Sequence, residues 1–178
     1  MVINIGVGDV AYLIVKQAYD IKLFPETPMV ASFDWPSQPI FWKNTGNKGT
    51  YLTYISYGHP NQKLTAMGEW FKAEFERLYN DAPIFGASNA FGQIVMIAEA
   101  IYHAGSADPA AIMKALEDYH YDNFNGPVKF NRADGARWHQ SSPPILIVQH
   151  TAEGQSLGQG TILYPPNLQT GSLTKGSR

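Results

Sequence analysis

Cysteine is absent from the 178-residue chain, which excludes a disulfide framework and thiolate chemistry and suits either an oxidising or a reducing compartment. No apolar run approaches the roughly 20 residues that span a bilayer, and the N-terminus lacks a basic segment followed by a signal-type apolar core, so no address is legible in the sequence. The 13 basic residues form no block and the net charge is -2, leaving no electrostatic footprint for nucleic acid. The basic pair in Lys175-Gly-Ser-Arg178 reads as a terminal tail or cloning scar. Catalytic signatures are missing too: there is no G-x-S-x-G elbow, no P-loop and no paired His-Glu helix motif. His59, His103, His120, His139 and His150 lack metal-ligand spacing, and His120-Tyr-Asp122 is too generic to nominate a triad. No catalytic residue, cofactor or metal is expected, so the chain does not read as an enzyme. What it does have is 44% hydrophobic and 13% aromatic residues, the composition of a folded globular protein large enough for one sizeable core.

The segment from Asp81 to Glu117 carries the densest local signal. The spacing predicts a helix from an N-cap at Ser88 to His103, ended by Gly105, with Phe91, Ile94, Val95, Ala98, Ile101 and Tyr102 on one face. A second helix is expected from Asp108 as N-cap with Pro109 at the first helical position, burying Ile112, Met113 and Leu116. Upstream, Val2-Ile-Asn-Ile-Gly6 reads as a strand running into a helix capped by Asp9, with Val10, Leu13, Ile14, Gln17, Ala18 and Ile21 as its apolar pattern. Pro25 and Pro28 bracket the turn into a strand from Met29 to Ser32, and this strand, helix, strand order predicts a parallel crossover. A strand beginning at residue 2 is expected of a molecule cut from a longer parent.

Gly6-Val-Gly-Asp-Val-Ala11 fits the G-x-G-x-x-A pattern of dinucleotide sites, and Asp34 could serve as its acidic partner. Against that, Asp9 would repel a pyrophosphate and no further βαβ series follows; a tight turn that brings strand and helix together is the preferred reading. Further along, Thr50 to Ser56 reads as a strand broken by Tyr57-Gly-His-Pro60. Gln62 to Tyr79 reads as a long amphipathic helix with Leu64, Met67, Phe71, Phe75 and Leu78 at helical spacing. Gly126 to Asn131 is expected to form a turn and short strand, followed by a polar turn at Arg132-Ala-Asp-Gly135. Pro144 to His150 and Thr161 to Tyr164 then read as strands, with a hairpin turn at Glu153-Gly154.

Taken in order, the helix pair, Gly126-Pro-Val-Lys-Phe-Asn131, Trp70-Phe-Lys-Ala-Glu-Phe-Glu-Arg-Leu-Tyr79 and the close at Pro165 to Gly171 resemble the C-terminal half of a type I periplasmic substrate-binding protein, of the branched-chain amino-acid binding family that serves ABC importers. The resemblance implies an α/β fold: a parallel-sheet, Rossmann-like lobe with part of a second lobe. It implies a division into a second-lobe segment at 1–82, a helical crossover belonging to the first lobe at 83–122, a return at 123–171 and a tail at 172–178. It implies a periplasmic or extracellular protein that captures an amino acid or related small carboxylate, aromatic or aliphatic, in an interlobe cleft and presents it to an ABC permease. A ligand-sensing receptor module of the same fold is the alternative, and a dinucleotide-binding α/β enzyme a remote one.

By the same resemblance, Val7, Gly8 and Asp9 lie where a strand end lines the cleft, although family members often present a ligand-stacking tyrosine there. Asp34 lies where a carboxylate pairs with a ligand ammonium, or else it caps a turn ahead of Pro36. Phe33 and Trp35 flank it as an aromatic wall or as core residues. Phe85 and Ser88 fall in the crossover loop near the hinge, Ser88 as cap or as contact. A half-molecule of this kind is expected to expose apolar surface on the helix pair and to self-associate.

Overall fold

Short β-branched runs, each followed by a helix or a turn, set the element order of the computed structural model, which describes residues 1–59, 62–142 and 145–176. In chain order these are β1 (Val2–Asn4), α1 (Asp9–Asp20), β2 (Met29–Ala31), α2 (Pro39–Thr45), β3 (Thr53–Ser56), α3 (Ala66–Tyr79), α4 (Phe85–Ala104) and α5 (Pro109–Asp118). They continue with β4 (Tyr121–Asn123), β5 (Gly126–Val128), β6 (Leu146–Gln149) and β7 (Thr161–Tyr164). Pro60, Pro144 and the last two residues of the tail, each part of a sequence expectation above, lie outside the described residues.

The chain forms two compact units, residues 1–61 with 144–178 and residues 62–143. This division follows contacts within the chain, whereas the division at 82, 122 and 171 follows the lobes that the family resemblance implies. The first unit is an α/β layer whose sheet runs β1-β2-β3-β6-β7. The crossover through α1 makes β1 and β2 parallel, in the register Val2↔Met29 and Asn4↔Ala31, and β3 continues parallel beside β2. Two antiparallel strands, β6 and β7, complete the sheet. Its core gathers Val15, Phe24, Met29, Phe41, Tyr54 and Val148.

The face that α1 buries differs from the expected one. Ala11, Tyr12, Val15 and Ala18 point inward, while Val10, Leu13 and Ile21 stay exposed. Tyr12 decides the rotation: its ring meets Trp35 edge-on at 5.4 Å and Phe41 at 6.4 Å, a larger contact than Leu13 could make from the neighbouring position. Asp9 is the first helical residue and not the cap; Gly8 holds the cap position and no side chain bonds the free amides.

In the second unit α4 begins one turn earlier than expected, after Ile84, so Ser88 is an interior residue whose hydroxyl reaches the Ile84 carbonyl at 3.5 Å. Gly105 closes the helix at φ 60, as expected. The inward face of α4 consists of small residues, Ser88, Gly92 and Ala100, because α4 lies close against β4 and α5. Several of the larger apolar residues face outward, with Ile94 72% and Tyr102 82% exposed, while Met96 packs on the core and Phe91 stacks on Phe71 at 4.5 Å. Asp108 caps α5 as expected, its carboxylate accepting from the amides of Ala110 and Ala111 at 3.0 Å. Met113, however, is exposed and Ala115 takes the buried position, where its carbonyl accepts the Tyr121 hydroxyl at 2.7 Å. Leu78 of α3 is exposed as well.

The strand β4 gave no sequence signal, yet the hairpin it forms with β5 anchors α3. Thr65 caps α3 by accepting from Gly68 N at 3.1 Å, and its hydroxyl donates to the Asn123 carbonyl at 2.6 Å. A Cβ at Gly68 would land on the Phe124 backbone carbonyl, whereas one at Gly92 would meet the Asn123 side chain, which can rotate by giving up its 2.8 Å bond to the Phe124 amide. A helical Gly→Ala change in open space gains up to about 1 kcal/mol, so the sign of the effect is informative. Gly68→Ala is expected to cost about 3 kcal/mol and Gly92→Ala about half of that. Urea denaturation of the two variants checks the order, and a neutral Gly68→Ala would contradict the close approach.

Candidate functional site

Because β1 and β2 are parallel neighbours, the segments that follow them, residues 5–9 and 32–37, share one edge of the sheet. Buried Asn4 builds this edge. Its Oδ1 accepts from the Gly6 amide at 3.0 Å, its Nδ2 donates to the Ala11 carbonyl at 3.2 Å, and its backbone carbonyl accepts from Ser32 at 3.0 Å. A Cβ at Gly6 would stand 3.1 Å from Asn4 Oδ1 and 3.3 Å from Ala11 Cα, which is the close strand-to-helix approach that the tight-turn reading requires. Gly8, at φ 64 and ψ -149, occupies a conformation open in practice only to glycine. The Asp9 and Val10 amides at the start of α1 therefore emerge at this edge without intrahelical acceptors, the Ala11 amide donating to the Gly8 carbonyl at 3.0 Å; beside them Val7 is 63% exposed. Asp9 also lines an open cleft of about 260 Å³ with Tyr12, Leu13, Lys16 and Asn44.

Across the edge, Asp34 precedes a single 3-10 turn, Trp35–Ser37, where its carbonyl accepts from the Ser37 amide at 2.8 Å. Its carboxylate makes no capping bond. Burial pushes the Asp34 carboxyl above the usual carboxylate range. The Tyr54 phenol, raised first by its own burial, is raised further by Asp34. The two aromatic neighbours part company: Phe33 is 43% exposed, whereas Trp35 is 5% exposed and belongs to the core through its contact with Tyr12.

Beneath the turn lies a polar layer that the sequence did not announce. Ser32 Oγ, Ser37 Oγ, Trp35 Nε1 and the Tyr54 hydroxyl are buried without a hydrogen-bond partner among the described residues. His150, fully buried, donates from Nε2 to the Pro36 carbonyl at 2.9 Å, stacks on Phe41 at 5.8 Å and meets the tilted Tyr54 ring at 4.9 Å. Burial pushes its imidazole down to about 4. His59, also buried, bonds the Leu157 backbone. Alternation along Thr50 to Ser56 could have flagged Tyr54 as inward-facing; His150 ends a strand and left no such signal. Phe85 and Ser88 belong to the second unit, where Phe85 opens α4 at 6.2 Å from Phe124 and Ser88 is turned into the packing.

A sequence profile described as periplasmic binding protein matches residues 1–155. Among solved structures, the leucine-binding protein LivK from Thermotoga maritima superposes with a TM-score of 0.69 at 15% identity, over 88% of this chain and 42% of its own. The branched-chain amino-acid transporter substrate-binding protein LivJ from Streptococcus pneumoniae, solved with isoleucine, gives 0.70 at 18% identity over 92% of this chain and 44% of its own. A solute-binding protein of an ABC transporter from R. palustris, solved with benzoate, gives 0.62 at 15% identity over 89% of this chain and 40% of its own. These likenesses establish a shared fold, and the chain spans less than half the length of each of the three proteins.

The polar layer makes stability depend on pH. In the unfolded chain His150 takes a proton near 6.5, but in the folded chain only near 4. Its contribution is complete above pH 6.5 and is lost as pH falls to 4, a change of about 3 kcal/mol. Denaturation curves between pH 7 and 4 should show this slope, and His150→Phe should flatten it. An unchanged slope in that variant would place the proton uptake elsewhere.

Proposed function

The chain belongs to the periplasmic binding protein family, and from that premise we propose that it is the solute-binding component of an ABC importer, taking an amino acid or a related small carboxylate in the cleft of the intact protein. Family and fold are those of proteins that bind a solute without transforming it, and the family implies a periplasmic or extracellular location. No described helix is long and apolar enough to cross a membrane. The reading is supported by the shared edge after β1 and β2, which carries both the start of α1, with the Asp9 and Val10 amides, and the half-buried carboxylate of Asp34. Free amides suit a ligand carboxylate, and a carboxylate raised by burial is stabilised by an ammonium brought beside it.

In this reading Val7, Gly8 and Asp9 contribute the backbone of the strand end, Asp34 pairs with the ammonium, and Phe33 covers the ligand's apolar part. Trp35 backs Phe33 and Asp34 from the core instead of forming a wall itself. Phe85 and Ser88 lie in the second unit, Ser88 turned into its own helix, and this reading of the edge does not draw on them. The relatives solved with isoleucine and with benzoate mark the two ligand classes to separate: both have a carboxylate, and only the first has an ammonium.

Calorimetric titration with leucine, isoleucine and benzoate, paired with thermal unfolding, tests the proposal. Asp34→Ala is expected to weaken an amino acid at least tenfold and to leave benzoate within about twofold, a charge-assisted contact to an ionised group being worth roughly 1.5–3 kcal/mol. Amino-acid affinity should also fall on acidification, as Asp34 takes up a proton. Equal losses for both ligand classes, or no response to any of them, would refute the assignment.

A further inference from the structure

The second unit carries a charge pattern that the solute site does not use. After β5 the chain makes a loop closed at its neck by Asn131, whose amide donates to the Gln140 carbonyl at 3.0 Å and whose carbonyl accepts from the His139 amide at 2.7 Å. Inside the loop Asn131 Oδ1 accepts from Ala133 N at 3.0 Å, and the Gly135 carbonyl accepts from the Trp138 amide at 3.1 Å. Two side-chain contacts pin the loop to α5: Arg132 Nη1 donates to Asp118 at 2.8 Å, and His139 Nε2 meets Glu117 at 2.5 Å. The loop is thus a held frame.

Against this frame lies an open cavity of about 700 Å³, lined by Lys129, Arg132 and Arg137 together with Asn131, Ser141 and Ser142. Three of the chain's 13 basic residues meet here, although acidic residues outnumber basic ones overall. No aspartate or glutamate is among the described lining residues. Arg132 is neutralised by Asp118, but among the described residues neither Lys129 nor Arg137 has a carboxylate within 4.0 Å.

We propose that this cavity is a binding site for a doubly charged oxyanion of the phosphate type, such as a phosphate monoester. Two unpaired cations match two negative charges. A tetrahedral oxyanion has enough acceptor oxygens to take an arginine fork, a lysine and two hydroxyls at once, whereas a single carboxylate has only two oxygens. The volume exceeds that of a bare ion and admits the group that the phosphate is attached to. The site shares no residue with the edge formed by Val7 to Asp9 and Phe33 to Trp35, so it stands or falls independently of the solute reading.

The test is titration of the whole chain with inorganic phosphate and with pyrophosphate at constant ionic strength, read from the amide resonances of residues 129–142. Saturable shifts are expected, tighter for pyrophosphate, and the double variant Lys129→Gln/Arg137→Gln should weaken binding tenfold or more. Its melting temperature without anion should be unchanged, since neither side chain has an ionic partner among the described residues, and Lys22→Gln/Lys43→Gln, at two exposed lysines of the first unit, serves as the charge-matched control. Cosedimentation with phosphatidic acid vesicles, compared with phosphatidylcholine vesicles, separates the sources. Capture reversed by pyrophosphate assigns the phosphate to a lipid headgroup, and soluble binding without capture assigns it to a free phosphate compound; either supports the site. Shifts that do not saturate, or that persist equally in the double variant, overturn it.

Discussion

The antiparallel pairing of β3 with β6 is the contact on which the first unit depends, because it joins parts of the chain that are remote in sequence. Gln149 reaches the Tyr51 carbonyl at 3.0 Å across 98 positions, and the ladder aligns Tyr54 with Val148. Everything between Asn61 and Pro144 in the chain is an excursion into the second unit. Closing so long a loop carries an entropic cost that grows slowly with length, and here the return is met by a dense set of contacts. His150 enters the aromatic cluster of Phe41, Trp42 and Tyr54, and Gln149 also bonds Thr174 twice, at 2.9 Å each, tying down the tail.

Elements defined by local chemistry were legible in the sequence. Asp108-Pro109 opens α5 and Gly105 ends α4, because caps depend on residues within one turn. Strands β2 and β7 fall where β-branched and aromatic runs are bounded by turn residues. The faces of α1 and α4 were not legible. Periodicity finds a stripe of large apolar residues, but a helix packed close against its neighbours needs small ones inward, and Gly92 and Ala100 take that place. β4, three residues long, is too short to show alternation. Of the candidate site, the strand-end position of Val7 to Asp9 and of Phe33 to Trp35 was readable from order alone, whereas the separation of Phe33 from Trp35 by burial needed the tertiary packing around Tyr12.

The two units solve the problem of buried polarity differently. In the first, Ser32, Ser37, Trp35 and Tyr54 leave polar atoms inside without a described partner, next to an aspartate whose ionised form burial disfavours. Such a layer costs stability and is tolerated where a polar ligand can repay it. In the second, Tyr121 and Thr65 satisfy their hydroxyls on backbone carbonyls, and what remains unmatched is the outward apolar surface of α4.

The excursion of residues 62–143 out of one unit and back has a mechanical consequence. Tension applied at residues 1 and 176 enters the chain through β1 at one end and through the Gln149–Thr174 clasp at the other, both in the first unit. The force runs through the β3–β6 ladder before it reaches either strand of chain leading into the second unit. Residues 62–143 therefore bear no load until that ladder shears, so the helical unit is shielded from stretching by the sheet whose chain it interrupts.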